Sequence, residues 1–337
     1  MKYIVPEYYK TFSCKGGACR HTCCHGWGIT LTMEEYYRIL GMDCDARLRR
    51  RLDTAFYPVD KPTEERYAAV NHRYDGDCPL HAEDGLCELH RQMGENAIPS
   101  VCRMYPRSVR SGCCSCTNSC EQTLELIFGL GDIMKFETAD YDYPYGGTPE
   151  DGSDDILHWA IAMLSDTSVP LTVRLHNILV QNGVEAKKSN ETRIGDFISI
   201  LERISDGSES FREYVLPRLM ALGENGERTE ELLEKFEGSF SKHELIFANI
   251  LINHVFYERF GCDGRIGAVC RDCIALCAVY AVMRLIAAEN AAMCGSVDEL
   301  IDALAGAFRC IEHSSFNASA CHYMANLGVT AEDLLVI

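Results

Sequence analysis

Through the second half of the chain, apolar residues recur at spacings of three and four in one stretch after another: 154–166, 170–182, 192–204, 211–222, 227–237, 241–260, 265–292, 296–313 and 330–336. That period keeps one face of a helix apolar. Few alternating patterns compete with it, so this part is expected to be an all-helical bundle. The first 120 residues lack such regularity apart from one helix. In "TMEEYYRIL", Thr32 stands as N-cap with Glu35 three residues on, and Tyr36, Ile39 and Leu40 give an apolar face. The helix is expected to run to about Leu52 with a break near Gly41. The segments "YPVDKP" and "YDGDCPLHAEDGLC" are turn-rich, and Asp84-Gly85 predicts a tight turn. "EQTLELIFGLGDIMKF" predicts a helix, after which residues 137–155 carry seven acidic residues, no basic ones, two prolines and three glycines. The expected organisation is a cysteine-rich module over 1–136, an acidic linker or surface loop over 137–155, and an all-helical domain over 156–337. The expected fold class is mainly α, with an irregular metal-binding module packed on a C-terminal helical bundle.

Composition changes this picture at one point. Of 19 cysteines in 337 residues, twelve fall in the first 120. The chain is long enough to bury a core without covalent staples, so small size does not explain them. "MKYIVPEYYKTF" has no apolar run suited to a secretion signal, and no later stretch suits a membrane span. A cytoplasmic protein is therefore expected, in which clustered thiols bind metal or do redox chemistry more often than they pair. Residues 1–120 hold 16 Lys/Arg and 15 Asp/Glu, leaving 16 and 35 to the rest. This acidity argues against nucleic acid, which needs a basic footprint, and suits either a solvated surface or a basic, lysine-bearing protein partner.

The thiols follow the spacing C-x4-C-x3-C-C at 14, 19, 23 and 24, C-x8-C at 78 and 87, a lone Cys102, and C-C-x-C-x3-C from 113 to 120. Several loops must fold back for these to share one site, and a metal would then staple the module. Structural zinc favours short C-x2–4-C knuckles, whereas iron–sulfur clusters take four thiolates from more varied loops. The varied spacing of these loops favours an iron–sulfur cluster, with zinc as the alternative. Buried free thiols are the plainer reading, opposed by the polar surroundings of Lys15, Gly16, Gly17, Arg20 and His21. The adjacent Cys23 and Cys24 point to opposite sides of an extended loop, so one is expected to bind and its neighbour to pack or serve another centre. The C-x3-C-x2-C of radical S-adenosylmethionine enzymes is missing, and "GLGD" at 129–132 lacks the strand and glycine frame of a dinucleotide fold. Cys270, Cys273 and Cys277 repeat at helical spacing in an apolar run and read as core, as do Cys294, Cys310 and Cys321.

With these residues in view, the chain resembles the flagellin lysine-N-methylase family. The resemblance is carried by F-x-C-x4-C-x3-C-C-x-G-W (Phe12 to Trp27), C-P-L…D-G-L-C-E-L-H (Cys78 to His90), C-R-M-Y-P-R (Cys102 to Arg107), S-C-E (Ser119 to Glu121) and F-R-C-I-E-H-S (Phe308 to Ser314), the last with Arg309, Glu312 and His313 in place. Its N-terminal part is also similar to small proteins described only as zinc- or iron-chelating. The resemblance implies a cytoplasmic enzyme with a [4Fe–4S] cluster that moves a methyl group from S-adenosylmethionine to lysines of a protein, flagellin or another. By motif position it implies metal ligands among Cys14, Cys19, Cys23, Cys24, Cys78, Cys87, Cys102 and Cys120, while Cys44, Cys113, Cys114 and Cys116 are extra. "CCSCTN" before Ser119 departs from the pattern, and its extra thiols would alter the cluster or make a second site.

Lysine methylation requires an amine that has lost its proton, and an unperturbed lysine near pH 7 has not. Tyr105 and Arg107, just after Cys102, are the first candidates for contact with substrate or cofactor. Their plainer role is a proline-stiffened turn with Arg107 capping a helix. Glu312 and His313 suit an interhelical polar contact better than catalysis, and His25, His81 and His90 suit supporting positions around metal ligands. No residues for the methyl donor can be named. The rivals to a methyltransferase are a non-enzymatic iron–sulfur redox or sensor protein and a zinc-stapled interaction module.

Overall fold

The computed structural model describes residues 1–110, 112–143, 155–185, 187, 193–205, 208–223, 228–262 and 267–337. The chain forms two compact units, one of Ser13–Pro106 and one of Met1–Phe12 with Arg107–Ile337. The divisions thus fall after residues 12 and 106, and residues 107–136, expected with the cysteine-rich module, pack in the larger unit.

The chain begins as strand β1 (Lys2–Pro6). The smaller unit then carries β2 (Thr30–Leu31), α1 (Met33–Leu40), α2 (Ala46–Ala55), β3 (Phe56–Pro58), β4 (Ala68–Val70), α3 (Glu88–Met93) and α4 (Ser100–Met104). α1 has the full capping box: Thr32 accepts from the Glu35 N–H, and Glu35 accepts from the Thr32 N–H. The break near Gly41 is observed, and α2 restarts with Asp45 as its N-cap. β2, β4 and β3 form a short antiparallel sheet in that order. A small core of Leu31, Ile39, Leu48, Leu52, Leu80 and Leu89 holds these pieces together. It is modest for 94 residues, as expected of a module that leans on another cohesive element.

The larger unit adds β5 (Arg107–Arg110), β6 (Cys113–Cys116), α5 (Glu121–Phe128), β7 (Phe136–Asp140), α6 (Asp155–Ser165), α7 (Leu171–Gln181), α8 (Ile194–Ile204), α9 (Leu216–Gly223), α10 (Thr229–Ser239), α11 (His243–Glu258), α12 (Ala268–Met293), α13 (Val297–Ile311), α14 (Phe316–Leu327) and α15 (Ala331–Leu334). The sheet order is β5-β6-β1-β7, with β1 parallel to β6 and antiparallel to β7 in the register Lys2↔Asp140 to Pro6↔Phe136. Tyr3 and Val5 alternate into the core, which is why this short strand is stable at all. α12 is apolar on all sides and buried along most of Cys273–Ala291, so it is the axis of the bundle, contacting α7, α10, α13, α14 and α15.

The bundle follows the periodic stretches closely, with two differences. The stretch 211–222 opens as a π-helical turn, Phe211–Val215, before α9, since Pro217 supplies no N–H to the ladder. α14 was not expected: only Phe316, Ala320 and Met324 make its buried stripe, among Asn, Ser and His. The acidic stretch divides as well. Residues 137–140 belong to β7, and 144–154 lie outside the described residues. Among the described residues no helix is long and apolar enough to cross a membrane.

Candidate metal centre and buried polar hub

In the smaller unit the spaced cysteine loops are brought together by backbone contacts. The Cys78 N–H donates to the Cys24 carbonyl at 2.8 Å, the His81 N–H donates to the Cys78 carbonyl at 2.9 Å, and His81 pairs with Cys87 in an antiparallel bridge. Two glycines allow the approach. A Cβ on Gly17 would lie 2.3 Å from the Asp84 carbonyl oxygen, and Gly85, at φ +78°, sits with its own Cβ position 2.7 Å from the Gly17 Cα. The expected turn at Asp84-Gly85 is therefore also the surface on which the first cysteine loop rests. Cys102 arrives on α4, whose Ser100 N–H donates to Glu35 Oε1 at 2.6 Å.

The thiols of Cys24, Cys78, Cys87 and Cys102 are near enough to feel one another's charge. Burial pushes Cys78 up to about 12, and charge on Cys24 and Cys87 adds to it. Burial also raises Cys87, and it raises Cys102 far above the usual thiol range although that residue keeps an exposed surface. Cys24 goes the other way. A hydrogen bond from Cys23 and the nearby His81 ring outweigh its burial and bring it down to about 6. One thiol inclined to the thiolate beside three that a bound cation would deprotonate is a donor set that suits a metal. Among the described residues no group of three or more His, Cys, Asp or Glu side chains is disposed to hold an ion as it stands.

A histidine–carboxylate arrangement borders these thiols. Asp77 accepts from His25 Nδ1 at 2.8 Å, His81 Nδ1 at 2.9 Å and the Arg73 guanidinium at 2.9 Å. Burial works against the Asp77 carboxylate, but the two histidine hydrogen bonds hold it below the usual range. With Nδ1 committed, the buried Nε2 of His81 has no hydrogen-bond partner among the described residues. A carboxylate that takes one ring nitrogen in this way fixes the imidazole and leaves the other nitrogen open to a ligand. His25 packs over Gly76, whose φ of +82° and 2.8 Å approach to the ring leave no room for a side chain.

Other sequence candidates have different surroundings. Cys14 is exposed and accepts the Gly16 N–H at 3.4 Å. Cys120 lies in the larger unit, as N-cap of α5. Cys113, Cys114 and Cys116 are strand β6, buried in the core; burial pushes Cys114 up to about 12 and Cys116 higher, so they pack as small neutral groups. Cys273 and Cys277 are core of α12, with the Cys273 thiol 3.9 Å from the Ile178 carbonyl. Tyr105 stands edge-on to Trp27 at 4.8 Å, and the Arg107 guanidinium lies over the Phe12 ring at 4.8 Å.

The larger unit contains a second polar assembly. Glu312, its side chain fully buried, accepts from His254 Nδ1 at 2.9 Å, the Asn118 N–H at 2.8 Å, Asn118 Nδ2 at 3.1 Å and the Thr117 hydroxyl. His313 Nε2 meets Ser119 Oγ at 2.9 Å. Burial opposes protonation of His254, but Glu312 outweighs it and raises the imidazole. Asn253 continues the assembly to the Cys116 carbonyl at 2.9 Å and to Tyr8. The stretches "CTNSC" and "CIEHS", almost 200 residues apart, thus form one hub, in which Glu312 meets His254 of α11 as an interhelical contact while His313 bonds Ser119 in the loop between β6 and α5.

Beside the hub, α11, α12 and the turn from α13 to α14 enclose a cavity of about 440 Å³ lined by His254, Glu258, Arg259, Arg271 and Asp272, with Leu276 and Ile311 among its apolar walls. Burial pushes the Glu258 carboxyl up, Glu312 and Asp272 adding to this and His254 and Arg110 opposing it. Sequence reasoning passed over these residues. The available signal was Asn249, Asn253 and His254 in an otherwise apolar α11, each buried and therefore in need of a partner.

The C-terminal domain of the FliB lysine N-methylases matches residues 161–332, just over half of the chain and including every cavity residue and Glu312. The chain belongs to the FliB lysine N-methylase family. Over 103 residues, 31% of this chain, it is 30% identical to a lysine-N-methylase of Salmonella typhimurium and one of Salmonella choleraesuis, and to the flagellar biosynthetic protein FliU of Salmonella muenchen. The matched stretch spans a quarter of the length of the two named methylases and 60% of FliU. No solved structure matches the chain.

Proposed function

We propose that the chain is an S-adenosylmethionine-dependent protein-lysine N-methyltransferase whose smaller unit holds a [4Fe–4S] cluster through Cys24, Cys78, Cys87 and Cys102. The observation that supports the cluster is that backbone contacts draw the segments of Cys24, Cys78 and Cys87 together, with Cys102 near enough to feel their charge, beside a histidine whose buried Nε2 has no hydrogen-bond partner among the described residues. A bound cluster would join the loops that the small core of this unit cannot. Of the eight cysteines implied by motif position, Cys23 acts in this reading as a hydrogen-bond donor to Cys24, which separates the roles of the adjacent pair.

The methyl transfer itself rests on family membership and on the names of the relatives. The lysine nitrogen forms its bond to carbon as the carbon–sulfur bond of the sulfonium breaks and its electron pair stays on sulfur. The ammonium proton must leave first, to a base or to water. The acceptor is a lysine-bearing protein, flagellin or another, met in the cytoplasm. A zinc-stapled interaction module is the second reading, favoured by the same His81 Nε2, because zinc takes mixed cysteine and histidine ligands.

Co-expression of the chain with its own proteome, followed by mass spectrometry of lysines, tests the activity. New methyl-lysines that vanish in the Cys24→Ala/Cys102→Ala double variant are the expected result. An unchanged lysine-methylation pattern would sink the enzyme.

A further inference from the structure

We propose that the cavity between α11, α12 and the α13–α14 turn is the site of the methyl donor, with Glu258 and Asp272 facing the ammonium and sulfonium charges of S-adenosylmethionine and Arg259 and Arg271 its carboxylate. The proposal rests on the methyltransferase reading and adds to it the place where the donor binds.

Size and charge together select this ligand over the acceptor lysine. A volume of about 440 Å³ is within the roughly 300–1,000 Å³ usual for small-molecule sites, whereas one lysine side chain needs only a narrow channel. The lining carries two carboxylates and two guanidiniums. A lysine offers one positive charge and nothing for the arginines. The donor has two positive groups and a carboxylate, plus an adenine ring for the walls that Phe260, Leu276 and Ile311 supply.

The carboxylates are prepared for a cation. Asp272 is fixed, with Oδ2 accepting the Gly261 N–H at 3.2 Å and Oδ1 3.6 Å from Arg271. Glu258 has no donor bonded to its carboxylate among the described residues, and it feels Asp272 and Glu312 as like charges. A cation entering the cavity relieves that repulsion. His254 lines the same cavity while its Nδ1 is held by Glu312, so one wall is rigidly tied to the hub. A binding site built on helices and locked from behind in this way loses little order when a ligand arrives.

The test is isothermal titration of the cluster-replete full chain with S-adenosylmethionine and, separately, with adenosine. Glu258→Gln and Asp272→Asn should each weaken S-adenosylmethionine by roughly tenfold, the scale of one charge-assisted contact, and leave adenosine within about twofold. Should either variant fold poorly, Ala318→Trp, at an exposed lining position, should block both ligands by filling the cavity. Wild-type affinity for S-adenosylmethionine in the well-folded variants would move the donor elsewhere and leave the methyltransferase reading intact. Absence of S-adenosylmethionine binding to the wild-type chain would overturn both.

Discussion

Replacing Glu312 by Ala should be one of the most damaging single changes in the larger unit. The carboxylate has no exposed surface and satisfies four donors: His254 Nδ1, two N–H groups of Asn118 and the Thr117 hydroxyl. Thr117 has a fallback, since Ser119 Oγ is 2.9 Å away and His313 Nε2 3.2 Å. The Asn118 N–H has no second acceptor among the described residues, and His254 is left buried against Phe308 with only the weaker fields of Glu258 and Asp272 to favour its charge. Removing one partner of a buried ion pair costs about 3–5 kcal/mol, consistent with two or three orphaned donors at roughly 1–3 kcal/mol each. For a unit of this size that is a fall in Tm of roughly 6–20 °C. The loss should depend on pH with a defined sign. Because Glu312 raises the His254 pKa, the pair's stabilisation is complete below 6.5, the ordinary imidazole value, and is lost as pH rises through the higher folded value. Urea unfolding of both proteins at several pH values therefore should show the largest difference on the acid side. A difference below about 1 kcal/mol at every pH would refute the assignment of Glu312 as the hub's central acceptor.

Cys24→Ala and Cys102→Ala should each abolish metal uptake, while Cys273→Ala, a core thiol of α12, should leave metal unchanged and cost only packing, on the order of 1 kcal/mol; metal analysis with thermal melts separates the two. Gly85→Ala should lower metal content without touching a ligand, because a Cβ there meets Gly17 at 2.7 Å in a left-handed backbone, a cost of about 1–3 kcal/mol. Desolvation of its ring holds His313 down to about 4 although the residue keeps an exposed surface, so its contribution is present above 6.5 and lost as pH falls toward 4. His313→Gln should flatten acid unfolding in that window, and an unchanged pH profile would show that the ring stays solvated.

The helical bundle was legible because its signal is local: a 3.6-residue period needs no knowledge of distant chain. The capping box at Thr32 and the turn at Asp84-Gly85 were readable for the same reason. β1 was not, since Lys2–Pro6 is a strand only because Phe136–Asp140 lies beside it, and five residues carry too little alternation to announce a partner 130 positions away. That pairing also explains why residues 107–140 sit in the larger unit and why the thiols of "CCSC" are core. Spacing showed that the cysteines of the smaller unit come from several loops. It did not show that Asp77 joins His25 to His81 or that Gly17 and Gly85 meet, because both depend on backbone approach. The cavity residues escaped notice because Glu258, Arg259, Arg271 and Asp272 look like ordinary helix-end charges until α11 and α12 are packed.

The most direct test of the account is elemental and spectroscopic analysis of the chain purified without oxygen. A cluster held by Cys24, Cys78, Cys87 and Cys102, as proposed, predicts iron and acid-labile sulfide in equal amounts, about four of each per chain, with absorption near 400 nm that disappears in Cys24→Ala. Stoichiometric zinc with neither iron nor sulfide would contradict it.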